Sequence, residues 1–244
     1  MGLIVFVYGV FAYLSGVAAL LYLILFVGNL WVPMTIDSVA TGSPSQAVLV
    51  DLALIALFGL QHSVMARPSF KAWWTRGVPE SIERSTYVLA TALVTALLCW
   101  QWQPIAGTVW SVESPAARLL LQGLFWFGWV LLLLSTFMIN HFDLFGLRQV
   151  YLRLKRRTYT PVPFVEMAVY KLIRHPIMLG LLLGLWSTPD MSYGHLLFAV
   201  GATIYIFIGI WFEERNTREA LGAAYERYRR DTPMLLPLPR RKAT

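Results

Sequence analysis

Residues 1–36 contain no charged side chain. A helix needs roughly 20 mostly apolar residues to cross a hydrocarbon core of about 30 Å, so this stretch alone predicts a membrane span. Five further apolar runs follow, and the predicted spans are 3–27, 47–66, 85–102, 117–139, 168–188 and 194–212. Helix breakers mark the gaps: Pro33 with Gly42 and Pro44, Pro68 to Pro79, Pro104 with Gly107 and Pro115, Pro161 with Pro163, and Pro189. Only 14% of the 244 residues are charged, where a soluble domain carries roughly 25%. The expected fold class is therefore all-α: a polytopic transmembrane helical bundle of about six spans, forming a single membrane domain over residues 1–244. The first run lacks the basic n-region of a cleavable leader and is too long for an h-region, so it reads as a span. Phe6 stands where a myristoylation signal needs Ser or Thr.

Lys and Arg fall on one side of this arrangement. The gap 66–84 holds Arg67, Lys71, Arg76 and Arg84, the gap 140–174 holds seven more, and the tail after Phe212 holds eight. The opposite gaps hold none, and Arg118 lies just inside the fourth span. By the positive-inside rule both termini are expected in the cytoplasm, with the protein in the inner membrane. The same placement turns a net charge of +7 into anchoring to an anionic leaflet, and no nucleic-acid partner is expected. Trp31, Trp100, Trp102 and Trp110 would form an outer aromatic belt and Trp73 and Trp74 an inner one, a purely structural reading. The lone Cys99 offers neither an intramolecular disulfide nor a metal site, and no metal is expected.

Ionisable residues at the ends of spans are costly and are the functional suspects. Pure hydrocarbon in the fifth span begins only after Pro176, so the helix is expected to start earlier and draw Arg174 and His175 into the bilayer boundary. Gly180 and Gly184 have the small-xxx-small spacing that lets a neighbouring helix approach. The sixth span runs straight into Glu213 and Glu214. The short turn 188–194 predicts that spans five and six pack as an antiparallel hairpin, bringing a cationic pair to an acidic pair. On the residues alone this is either a structural ion pair or a site. Residues 213–230 read as one amphipathic cytoplasmic helix with Thr217, Leu221, Ala224, Tyr225 and Tyr228 on one face, either lying on lipid or closing over a site. Asn140, His141 and Asp143, at the inner end of span four, read as a polar helix terminus or an acid–base pair. His62 reads as structural.

Arg174-His175-Pro176 with Gly180, then Glu213-Glu214, Gly222, Tyr225, Tyr228 and Pro233 to Pro237, resemble the isoprenylcysteine carboxyl methyltransferase and phospholipid methyltransferase superfamily over residues 138–237. A closer resemblance, carried by residues 140–149 and 186–195 and covering nearly the whole chain, is to the methanethiol S-methyltransferase family, and the related NnrU-like proteins share the general pattern, including Gln61-His62-Ser63. The resemblance implies N-terminal helices over 1–137 and a methyltransferase core over 138–237. It implies S-adenosyl-L-methionine as cofactor and a small thiol as substrate, methanethiol being converted to dimethyl sulfide. Alternatives are methylation of a lipid or prenyl substrate, a sterol-reductase-like enzyme using NADPH, and a non-catalytic NnrU-like membrane partner. Carried over by position, Tyr170, His175, Pro176, Ile177, Met178 and Glu213 fall where the superfamily binds the cofactor, the stretch 162–165 would hold it by its backbone, and Arg174, Glu214 and Tyr228 are the further expected cofactor-binding residues. His141 oriented by Asp143, with Asn140 beside it, is the candidate base, and Tyr225 and Tyr228 would close over the cofactor by cation–π contact with its sulfonium. Gly209 stands where the prenylcysteine enzymes carry an arginine, which argues against a prenylcysteine carboxylate. Met178 and Thr217 also depart from the pattern of many relatives.

Overall fold

The computed structural model describes residues 2–162 and 166–237. In chain order the elements are α1 (Gly2–Val27), α2 (Pro44–Ala66), α3 (Pro68–Trp74), α4 (Glu80–Gln101), β1 (Thr108–Ser111), α5 (Pro115–Ile139), α6 (His141–Leu144), α7 (Leu147–Leu154), a 3₁₀ turn (Ala168–Lys171), α8 (Pro176–Trp186), β2 (Asp190–Ser192), α9 (Tyr193–Leu221) and α10 (Ala223–Asp231). Among the described residues α1, α2, α4, α5 and α9 are long and apolar enough to cross a membrane. The protein is a multi-pass, all-α membrane protein.

The chain forms two compact units. The first comprises Met1–Ser111, Asn140–Pro163 and Asp190–Phe198. Within it α1 packs along α4 and α7, and α2 packs along α4. Ser43 caps α2 by accepting the Gln46 amide, and Pro44 occupies the first turn, where its missing N–H costs nothing. Phe26 and Phe198 meet the indole of Trp102 edge-on, and all three are buried. The antiparallel pair β1–β2 closes one end of the unit, with Ser111 opposite Asp190.

The second unit comprises Val112–Ile139, Phe164–Pro189 and Ala199–Thr244. Its core is the contact of α5 with α8. A Cβ on Gly180 would lie 2.5 Å from the Gly128 carbonyl oxygen, and one on Gly128 would lie 2.6 Å from the Gly180 carbonyl oxygen. Only glycine at both positions lets these backbones touch. The small-residue face of α8 is therefore covered by α5. Trp186 does reach α9, donating from Nε1 to Thr203 Oγ1 at 2.9 Å.

The fifth expected span is corrected by the structure. α8 begins at Pro176 and has 11 residues, about 16 Å of helix at 1.5 Å per residue, so helix alone does not fill the expected span 168–188. Proline disfavours helical geometry in the residue before it, and His175 sits outside the helical region at φ −125°, ψ 62°. The helix therefore cannot start earlier, and residues 168–171 form a separate 3₁₀ turn. The tail is corrected too. α9 continues unbroken through Glu213 and Glu214 to Leu221, and Gly222 at φ 55°, ψ −127° turns the chain before α10. Thr217 and Leu221 thus belong to α9, while Tyr225 and Tyr228 belong to α10, where both are buried. The single face expected over 213–230 is split at Gly222, whose left-handed φ a side chain would resist.

Candidate active site

The second unit brings together most of the residues singled out by sequence. Pro176 opens α8, and the two residues before it are hydrogen-bonded to the tail: the Arg174 amide donates to the Pro233 carbonyl at 2.9 Å, and the His175 amide to the Met234 carbonyl at 3.1 Å. This strap holds two amides that the proline leaves outside the helical ladder. From it the Arg174 side chain donates to Glu214 Oε1 from Nε at 2.9 Å and from Nη2 at 2.6 Å. Its Nη1 donates to the carbonyls of Arg229 at 3.1 Å and Thr232 at 2.5 Å. Arg229 Nε lies 3.2 Å from the other oxygen, Oε2 of Glu214. Arg174, His175 and Glu214 are all buried. Buried charge of this kind persists only when paired and hydrogen-bonded throughout.

His175 lies between the two glutamates. Its Nε2 is 3.1 Å from Glu214 Oε1, and its Nδ1 is 3.8 Å from Glu213 Oε2. A carboxylate only accepts, so Nε2 carries the proton of the first contact. Glu213 differs from its neighbour: its side chain is 57% exposed, while that of Glu214 is 9% exposed. One residue apart on α9, the two carboxylates point in different directions, one into the ion cluster and one out of it. Glu213 is the carboxylate of the pair with acceptor capacity to spare.

Tyrosines complete the surroundings. The Tyr228 hydroxyl donates to the Tyr170 carbonyl at 2.6 Å, and the Tyr170 hydroxyl to the Ser135 carbonyl at 3.4 Å. Tyr225 and Tyr228 pack with ring centres 5.9 Å apart. Burial, and then the Glu214 charge, push the Tyr225 phenol up to about 12. Burial first, with the Glu213 charge behind it, raises Tyr170 well above the usual phenol range, and burial does the same for Tyr228. All three stay protonated at any physiological pH. Met178 lies half-buried in the first turn of α8. Of the stretch 162–165, residues 163–165 lie outside the described residues.

The remaining candidates belong to the first unit. Asn140 caps α6, its side chain accepting the Asp143 amide at 3.2 Å. His141 is buried and its Nε2 lies 3.0 Å from the Tyr13 hydroxyl. Its ring tilts over Phe145 at 4.7 Å. Burial holds its pKa below the ordinary histidine value. The Asp143 carboxylate is taken by Arg148, Nη1 to Oδ1 at 2.8 Å, and by the Tyr159 hydroxyl at 3.2 Å. Tyr13, which the sequence did not suggest, meets His141 through its hydroxyl. Arg229 and Thr232 were missed as well, since they reach the cluster only across the Gly222 turn. Asp51 was missed although a lone acid in a span is a signal: it is fully buried in α2 and accepts the Gln103 amide at 2.9 Å.

A multi-pass helical protein whose second unit gathers buried, mutually neutralised charges beside one open carboxylate is an integral membrane enzyme in its architecture. Comparison with known proteins places it further. The chain is 52% identical over 235 residues to the methanethiol S-methyltransferase of Mycobacterium tuberculosis, covering 96% of each chain. It is 46% identical over 239 residues to that of Crocosphaera subtropica, covering 98% of this chain and 94% of the relative. Nurim of Sus scrofa is 32% identical over 188 residues, 71% of this chain and 70% of its own. No protein-family profile and no solved structure matches. The chain belongs to the methanethiol S-methyltransferase family.

Proposed function

We propose that this protein is an S-adenosyl-L-methionine-dependent methyltransferase that converts methanethiol to dimethyl sulfide. The name shared by its full-length relatives supports the reaction, and the open Glu213 carboxylate beside His175 Nδ1 at 3.8 Å is the observation that supports the cofactor site. When bound, S-adenosyl-L-methionine supplies a methyl group on a sulfonium, together with hydroxyls and an ammonium that a carboxylate can hold. Glu213 fits that donor set, because its oxygens are not consumed by the ion cluster. Arg174 fits it less well as a direct ligand: four of its N–H groups are already committed within the protein. It shapes the site by holding α10 and the tail. Glu214 orients His175, and Tyr170 and Tyr228, linked by a hydrogen bond, form protonated aromatic walls that exclude water.

Removing water favours a reaction in which a thiolate and a sulfonium cancel their charges. His141 is the proposed acceptor of the thiol proton. Its burial keeps the imidazole neutral, the form that can accept. The basic residues gathered in alternate gaps support an inner-membrane placement with both termini and the site on the cytoplasmic side. Gly209, with open space around its Cβ position, offers no cation for a prenylcysteine carboxylate.

Headspace gas chromatography on purified protein given methanethiol and S-adenosyl-L-methionine tests the proposal, with Glu213→Ala in parallel. Dimethyl sulfide from the wild type and not the variant is expected. Cofactor binding without product would move the acceptor away from methanethiol, and neither binding nor product would overturn the reading.

A further inference from the structure

α3 is seven residues long and joins two spanning helices, following α2 after Arg67 and preceding α4. Because α2 ends at Ala66 and α4 starts at Glu80, this connection lies where hydrocarbon gives way to headgroups. Phe70, Trp73 and Trp74 form one aromatic cluster there, with Phe70 stacked on Trp74 at 5.8 Å and Trp73 5.4 Å from Phe70. Trp73 nevertheless remains 58% exposed. Its neighbours Val64, Arg67, Ser69 and Phe70 line an open groove with it, of about 310 Å³. Apolar surface left open at this depth is surface for an acyl chain or a glycerol backbone.

The charges around the groove have one sign. Arg67 lines it, Lys71 and Arg76 sit on the same segment, and residues 64–79 contain no acid. The Glu83 carboxylate, from the first turn of α4, lies 4.0 Å from Lys71 Nζ, the outer limit of an ion pair, and leaves that side chain partly open to solvent. A groove with an apolar floor, an indole edge and a surplus of cations matches a molecule with acyl chains and a phosphate of net negative charge. We propose that the α2–α3 groove is a binding site for one anionic phospholipid, its phosphate held by Arg67 and Lys71 and its chains laid against Val64 and Trp73. A zwitterionic lipid carries its own compensating ammonium and gains less from these cations.

The proposal is tested by native mass spectrometry of protein released from nanodiscs holding equal phosphatidylglycerol and phosphatidylcholine. Wild type should retain phosphatidylglycerol preferentially. Arg67→Gln and Lys71→Gln should each lower that preference by about fivefold, the factor that corresponds to about 1 kcal/mol per cation near an anionic surface. Arg156→Gln, which removes an equal charge elsewhere, should leave it unchanged. Equal retention of the two lipids, an equal effect of Arg156→Gln, or a change of oligomeric state in place of lipid loss would overturn the site. Photo-crosslinking phosphatidylglycerol applied to the wild type needs no variant to fold. Adducts confined to residues 64–76 are expected, and adducts scattered over the lipid-facing helices would also overturn it.

Discussion

Arg174 and Glu214 meet twice on one carboxylate oxygen: Nε and Nη2 of the arginine lie 2.9 Å and 2.6 Å from Oε1, with the two side chains 5% and 9% exposed. They sit 40 residues apart in sequence, on the strap before α8 and on the far half of α9. Their pairing therefore fixes how those segments meet α10, because the same guanidinium also holds the carbonyls of Arg229 and Thr232.

Removing one partner strands the other charge in a dry place. Arg174→Met and Glu214→Gln should each cost about 3–5 kcal/mol of stability. The double variant should cost less than the sum of the two. Thermal melting of the detergent-solubilised protein, arranged as a double-mutant cycle, measures this. Additive losses would mean the pair is not coupled.

Glu213 should behave in the opposite way. Its carboxylate is more than half exposed and lies no closer than 3.8 Å to His175, so Glu213→Gln should leave the melting temperature nearly unchanged. The same substitution should weaken S-adenosyl-L-methionine binding by about one to two powers of ten, the value of a charge-assisted hydrogen bond of about 1.5–3 kcal/mol. Calorimetric titration checks the affinity. A variant that melts early yet binds normally would reverse the roles assigned to the two glutamates.

The contact of α5 with α8 yields a third expectation. Gly180→Ala would place a methyl group 2.5 Å from the Gly128 carbonyl oxygen, and backbone cannot swing aside. Overpacking of this kind costs about 1–3 kcal/mol. Gly209→Ala, with nothing within 4 Å of its Cβ position, should be neutral or gain up to about 1 kcal/mol from helix propensity. Melting temperatures of the two variants should therefore move in different directions or by clearly different amounts.

Much of the fold was legible because spanning helices announce themselves by length. The expected spans 3–27 and 117–139 differ from α1 and α5 by only one or two residues. The start of α8 was not legible because apolar content says nothing about where Pro176 keeps the preceding chain out of the helix. The spacing of Gly180 and Gly184 announces a close helix neighbour but not which one, because that depends on a second glycine, here Gly128, on the facing backbone. In the site, the opposite charges at 174–175 and 213–214 were readable as residues placed where a bilayer penalises them. The pairing of His141 with Asp143 was not sound: side chains two apart on a helix point to different faces, and Asp143 turns to Arg148. Contacts that arrive through the Gly222 turn, such as Arg229, leave no periodic trace.

His141 carries a pH expectation whose direction follows from its burial. Its pKa in the folded protein lies below the ordinary histidine value, which is about 6.5 in an unfolded chain. As pH falls through about 6.5, the unfolded chain binds a proton that the folded protein still refuses, so folding becomes less favourable. The loss stops growing once pH passes the lower, folded value and both states are protonated. A variant without the imidazole, His141→Phe, should lack this component while other groups titrate as before. The difference in melting temperature between wild type and His141→Phe, measured from pH 8 to pH 5, should therefore shift against the wild type on acidification. Tyr13→Phe removes the hydroxyl 3.0 Å from Nε2 and should cost about 0.5–1.5 kcal/mol at neutral pH. If wild type and His141→Phe instead keep a constant gap across that range, the imidazole titrates in the fold as it does in water, and the buried neutral base proposed here is wrong.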